Sequence, residues 1–181
     1  FQFIKIKDYV LTIGIQVDYI SLIFAIVLFL VSFCVQIYSI FDLKQDKKSY
    51  RFFALLNLFN FSMSGLIFSP NMFEMYVFWE LIGVVSYLLI GFDYKKEIKS
   101  SASKRVFITN RIGDTALLAS ILLTSYFMYN YSGVAYLTAI PIHDMDMVSA
   151  YSSLYMSDFV LGSVSILFLV SALVKSAQFP F

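Results

Sequence analysis

The sequence predicts an all-α, polytopic membrane protein with about five transmembrane helices, the last of them broken, and three observations carry that prediction. Of its 181 residues, 60% are hydrophobic, well above the roughly 45–50% of a soluble globular domain. Charged residues make up only 14%, 13 basic against 12 acidic, while the chain holds 20 Phe, 13 Tyr and one Trp. Uncharged runs recur at the length a spanning helix needs, about 20 residues for about 30 Å of hydrocarbon. The same composition excludes a disordered chain, a basic nucleic-acid-binding domain and a secreted disulfide scaffold. No basic residues interleave with the aromatic rings, so these read as membrane packing and an interfacial belt rather than a stacking surface for nucleic acid.

The elements follow in order. The stretch YVLTIGIQVDY alternates β-branched and polar residues and reads as a short interfacial hairpin. A first span, 19–41, is free of charge and is followed by the polar DLKQDKKSYR with Lys44, Lys47, Lys48 and Arg51. The second span, 52–68, ends at Ser69-Pro70-Asn71, where Ser69 suits a helix cap and Pro70 a first turn. The third span covers 71–92. A second polar loop, 93–105, carries Lys95, Lys96, Lys99, Lys104 and Arg105, and the fourth span, 106–129, is apolar except for Arg111 and Asp114. Residues 130–157 form a turn-rich loop with room for a short interfacial helix. The fifth span, 159–179, passes Lys175 before Pro180 interrupts it. There is no internal repeat, and residues 1–181 are read as one membrane domain.

Loop charge orients the spans. Four of the basic residues lie in loop 42–51 and five in loop 93–105, whereas the Ser-Pro-Asn turn and loop 130–157 have none. Alternating helices put both basic loops on one side, which the positive-inside rule assigns to the cytoplasm or mitochondrial matrix. Lys5 and Lys7 fall on the opposite side, partly offset by Asp8 and Asp18.

A charge at the bilayer centre costs about 2.5–3.5 kcal/mol on insertion scales, so each one kept there is a functional candidate. This chain keeps Glu80, Arg111, Asp114 and Lys175. Counted from Pro70, Glu80 sits about 15 Å into its helix, the hydrocarbon midplane; the competing reading is a protonated acid bonded to a neighbouring helix. Lys175 lies inside the membrane beside backbone that Pro180 disrupts, although a lysine there also suits an end-of-helix anchor. A glutamate and a lysine at variable separation in low dielectric exchange protons as their coupling changes. Arg111 and Asp114, spaced i, i+3, share a helix face and read first as a mutually neutralising pair. Gly113 between them lets a neighbouring helix approach closely. Glu74, in a first helical turn, is structural or an entrance residue.

Other chemistry is thin. Cys34 alone supplies neither a disulfide nor an iron–sulfur or zinc site, and one histidine, His143, does not hold a haem between two. The His143, Asp144 and Asp146 cluster reads as solvated loop rather than a metal site.

At this point the residues resemble a family. The segments Ser69-Pro-Asn-Met-Phe, Phe78-Trp-Glu-Leu-Ile-Gly83, Ser86-Tyr-Leu-Leu-Ile-Gly91-Phe, Asn110-Arg-Ile-Gly-Asp114 and Lys175-Ser-Ala-Gln-Phe-Pro180 resemble NADH-ubiquinone oxidoreductase chain 5. That is the distal antiporter-like subunit of respiratory complex I, similar to subunits of multisubunit sodium/proton antiporters. The resemblance covers roughly residues 12–181 and implies that the five spans are the family's third to seventh helices. It implies a proton half-channel in which Glu80 and Lys175 switch protonation, with Arg111 and Asp114 as a supporting intramembrane pair. No cofactor is expected on this chain, flavin and iron–sulfur clusters being expected on other subunits.

Expected partners are other membrane-arm subunits, lipids, and another chain supplying the helices missing before Phe1 and after the lysine motif, the alternative being that residues 1–181 are an incomplete portion of a longer chain; nucleic acid is not among them. The expected location is the mitochondrial inner membrane, multi-pass, with basic loops 42–51 and 93–105 facing the matrix. Rival readings are a subunit of a multisubunit cation/proton antiporter, or a structural assembly piece without pumping.

Overall fold

The computed structural model describes residues 2–6, 9–44, 48–94, 97–132 and 157–179. They form two strands, β1 (Gln2–Ile6) and β2 (Tyr9–Thr12), and five helices: α1 (Tyr19–Asp42), α2 (Ser49–Phe68), α3 (Met72–Ile90), α4 (Glu97–Ser132) and α5 (Asp158–Lys175). All five helices are long and apolar enough to cross a membrane. The architecture is therefore the expected helical membrane domain, with one small antiparallel hairpin in front of it.

Several boundaries differ from the sequence reading, each for a local reason. The hairpin lies earlier than expected: β1 pairs with β2 from Gln2 opposite Thr12 to Ile6 opposite Tyr9, while residues 13–18 run without strand structure into α1. The third helix is capped not by Ser69 but by Asn71, whose Oδ1 accepts the Glu74 backbone N–H at 2.8 Å. Only Asn71 stands three residues before Glu74, the offset at which a cap side chain meets the third helical N–H. Pro70 then lies outside the helix. The second basic loop is largely helix, because α4 already begins at Glu97. Glu, Lys, Ala and Arg are strong helix formers, and charge prevents burial in lipid rather than helix formation. At about 1.5 Å per residue, 36 residues reach about 54 Å, so the exposed turns bearing Lys99, Lys104 and Arg105 extend beyond the roughly 30 Å of hydrocarbon. The expected loop 130–157 is helical to Ser132, and 133–156, with His143, Asp144 and Asp146, lie outside the described residues, as does Pro180.

The described residues fall into two compact units. One comprises Gln16–Phe68 and Phe78–Phe107. In it α1 packs on α2, and the residues α1 buries are Ala25, Ser32 and Ser39, one every seven positions. Small residues let two backbones approach where lipid provides no hydrophobic drive between helices. Gln36 Nε2 donates to Asn57 Oδ1 across the two helices at 3.1 Å. Phe52 meets Phe92 and Phe61 meets Phe78 edge to face, with centroids 5.4 and 5.8 Å apart, and Gly65 leaves room for the Phe78 ring. At the basic end, Lys48 and Arg51 lie 5.0 and 5.9 Å from the Tyr94 ring centre, within cation–π range.

The other unit comprises Phe1–Ile15, Ser69–Val77 and Ile108–Phe181. Its buried face runs along α4 through Asp114, Leu117, Ser120, Ile121, Thr124 and Ser125, and along α5 through Val164, Ser171 and Val174. Among the described residues the buried set holds slightly more polar side chains than apolar ones, whereas Phe24, Leu30, Phe33, Phe41, Ile108 and Ile166 are exposed. A chain solvated by lipid can leave its large apolar residues outside and must satisfy its polar ones within.

Candidate functional site

The site grows from the end of α5. Lys175 is the last residue of that helix, and the chain leaves it through a complete Schellman closure. Gln178 N–H donates to the Leu173 carbonyl at 3.0 Å and Ala177 N–H to the Val174 carbonyl at 3.2 Å. Closure requires a left-handed residue between them, and Ala177 takes it with φ 50°. The helix therefore stops at Lys175 through its own backbone bonds, five residues ahead of Pro180. A cation in the last turn also complements the negative end of the helix dipole.

α4 brings the partner. Gly113 has no side chain, and a Cβ placed on it would come within 2.9 Å of Val174 Cβ and Cγ1 and 3.4 Å of the Ser171 carbonyl oxygen. The absence of that carbon lets α5 close onto α4, and the neighbouring residues meet as a result. Lys175 Nζ lies 3.9 Å from Asp114 Oδ1, with side-chain exposures of 19% and 2%. Asp114 is the eighteenth of the thirty-six residues of α4 and lies about 12 Å beyond Val106, where the apolar stretch begins. Lys175 is thus held beside the middle of a spanning helix, which does not suit a lysine anchored at the membrane surface.

The separation matters chemically. Charge-assisted hydrogen bonds run about 2.7–2.9 Å, so at 3.9 Å the pair is an electrostatic contact rather than a tight bond. At an effective dielectric of about 20 the attraction is about 4 kcal/mol, against a desolvation penalty of several kcal/mol per ion. Opposing terms of similar size make a pair that small displacements strengthen or weaken.

The remaining candidates are placed as follows. Arg111 is half-buried on α4, three residues before Asp114. Glu80 is half-buried at the ninth position of the 19-residue α3 and belongs to the other compact unit. Asp114 and Lys175 are the two candidates that a described ion pair joins. Sequence reasoning had matched Asp114 with Arg111 and Lys175 with Glu80; the contact between α4 and α5 was foreshadowed only by Gly113. Glu74 proves to be an anchor: its Oε2 accepts the Gly14 N–H at 3.2 Å and ties the segment after the hairpin to the start of α3. An open groove of about 440 Å³ is lined by Glu97, Ile98, Ser101, Ala102 and Arg105 and contains none of the intramembrane charges. Among the described residues no three His, Cys, Asp or Glu side chains are grouped to hold a metal ion.

With this geometry in hand, comparison with known proteins gives two family matches. Residues 69–181 match the membrane domain described as NADH:quinone oxidoreductase/Mrp antiporter. Residues 3–53 match the N-terminus of NADH-ubiquinone oxidoreductase (complex I) chain 5. Among similar proteins, NAD(P)H-quinone oxidoreductase chain 5 of the cyanobacterium Picosynechococcus is 37% identical over 177 residues, covering 96% of this chain and 25% of the relative. The chloroplastic subunit 5 of Chaetosphaeridium globosum is 40% identical over 185 residues, covering 99% of this chain and 26% of the relative. That of Glycine max is 37% identical over 178 residues, covering 96% and 22%. The chain spans about a quarter of the length of the curated relatives it matches.

Proposed function

Because the chain belongs to the chain 5 family of antiporter-like NADH:quinone oxidoreductase membrane subunits, we propose that it works in the membrane arm of a proton-pumping NADH:quinone oxidoreductase. There it contributes a proton half-channel. Lys175 is the proton-carrying group, Asp114 the carboxylate that holds its ammonium form, and Glu80 the midplane carboxyl to which Lys175 couples in the alternate state. Arg111 supports Asp114 from the same helix. A carboxylate about 4 Å away favours the ammonium, and withdrawing it in low dielectric favours the neutral amine and a released proton. Hydride and electron transfer occur on other subunits, which carry the flavin and the iron–sulfur clusters. Partners are those subunits and surrounding lipids.

One observation carries this reading: a lysine that ends a helix at membrane depth and meets a 2% exposed aspartate at 3.9 Å. The relatives named above are cyanobacterial and chloroplastic and lend no support to the mitochondrial address expected from the sequence. The proposal is therefore a multi-pass position in an energy-converting membrane, with the basic segments 42–51 and 93–105 on its electrically negative side. In the assembled complex, Lys175→Ala and Glu80→Gln are expected to abolish most proton pumping while the complex still assembles. Full pumping by either variant removes that residue from the mechanism. The family description also names antiporters, and the alternative of a cation/proton antiporter subunit is separated by purification: an antiporter travels without flavin and iron–sulfur subunits.

A further inference from the structure

Most buried helical hydroxyls among the described residues bond within their own helix, and Ser171 at the site does not. Ser39, Ser62, Ser103, Ser120, Thr124 and Ser125 are buried, and each donates its proton to a carbonyl three or four residues earlier in its own helix, at 2.7–2.9 Å. Such back-bonding is the easiest way for a buried hydroxyl in an apolar helix to be satisfied. Ser171 on α5 is only 1% exposed, and its Oγ has no hydrogen-bond partner among the described residues. A buried polar group in this state calls for an explanation.

Its position supplies one. Ser171 precedes Lys175 by four residues, so both lie on one face of α5, one turn apart. The same turn packs against Gly113, whose added Cβ would meet the Ser171 carbonyl oxygen at 3.4 Å, and Gly113 is the residue before Asp114. Ser171 thus belongs to the turn of α5 that meets α4, one turn from an ion pair too long, at 3.9 Å, for a direct hydrogen bond. We propose that Ser171 is the reserve donor for Asp114: its hydroxyl turns to the carboxylate when Lys175 moves away, and so lowers the barrier to opening the pair. Nothing is oxidised or reduced. One O–H···O⁻ hydrogen bond forms as one ammonium–carboxylate contact is lost, and Asp114 stays ionised instead of taking the proton that Lys175 is to deliver. Ser171 acts through Asp114 and is a positioning residue.

The inference rests on the pump reading above, and the test separates the two. In the assembled complex, Ser171→Ala and Ser171→Thr are compared with Lys175→Ala for the rate of proton pumping at matched NADH oxidation. Infrared difference spectra of turnover, with ¹³C-labelled aspartate, report whether Asp114 becomes a protonated acid. Ser171→Ala is expected to lower pumping at least threefold and to produce a new carboxylic-acid band that Asp114→Asn abolishes. Ser171→Thr, which keeps the hydroxyl, is expected to restore both. If Lys175→Ala stops pumping while Ser171→Ala pumps normally and shows no new band, the reserve-donor role is wrong and the pump reading stands. Pumping lowered equally by Ser171→Ala and Ser171→Thr, with no new band, reduces Ser171 to packing and also overturns the proposal. Unchanged pumping in Lys175→Ala overturns the pump reading itself.

Discussion

Gly113→Ala tests the site through one carbon atom. The added Cβ would lie 2.9 Å from Val174 Cβ and Cγ1, where carbon atoms settle at about 3.5–4.0 Å, so α5 must retreat by about 0.8 Å. Lys175 follows Val174 in the helix, and the same displacement takes the ion pair from 3.9 Å to about 4.7 Å. At an effective dielectric of about 20 the attraction falls by about 0.7 kcal/mol, roughly a threefold change in an equilibrium constant. Overpacking costs about 1–3 kcal/mol, and replacing a helical glycine by alanine returns about 1 kcal/mol, so assembly suffers little. Pumping is the sensitive measurement. In sealed vesicles, the initial rate of acidification divided by the rate of NADH oxidation is expected to fall about threefold. Gly162→Ala is the control, because nothing lies within 4 Å of its added Cβ; it should assemble and pump normally. Val174→Gly combined with Gly113→Ala removes the clashing carbons and should recover much of the loss. If Gly113→Ala and Gly162→Ala behave alike, the close approach of α4 and α5 does not set the spacing of the pair, and the reasoning fails.

Two further outcomes concern the frame around the site. Asn71→Ala removes the carboxamide that accepts the Glu74 N–H and should destabilise the start of α3 by about 1 kcal/mol, read as earlier thermal disassembly of the detergent-solubilised complex. Ala177→Gly relieves a side chain held at φ 50°, a strain of about 1 kcal/mol. It should raise the disassembly temperature, whereas Ala177→Val should lower it.

How much of this was legible beforehand depends on the scale of the interaction. The existence of five helices follows from apolar length, a property of each segment alone, and so does the expense of Glu80, Arg111, Asp114 and Lys175 in lipid. Boundaries were read less well because they turn on competition between neighbours. Ser69 and Asn71 both suit a cap, and the choice falls to the one spaced for the Glu74 N–H. The turns from Glu97 to Arg105 read as loop in the sequence because they are charged, yet in water charge and helix are compatible. Lys175 was placed beside a proline break, but the helix ends there through a left-handed alanine and two backbone bonds.

The sequence by itself determined that the chain lives in lipid, which of its residues are charged there, and that a glycine stands beside one of them. Each of these depends on composition and on spacing within a single helix. That Asp114 meets Lys175, that Ser171 lies against the same contact, and that Glu74 anchors the Gly14 segment were decided only by the tertiary structure. Asp114 and Lys175, Gly113 and Ser171, and Gly14 and Glu74 are 61, 58 and 60 positions apart by their numbers, and no periodicity reaches across such distances. What joins the first two pairs is the missing Cβ of Gly113, which brings α4 and α5 close enough for a buried carboxylate to hold an ammonium.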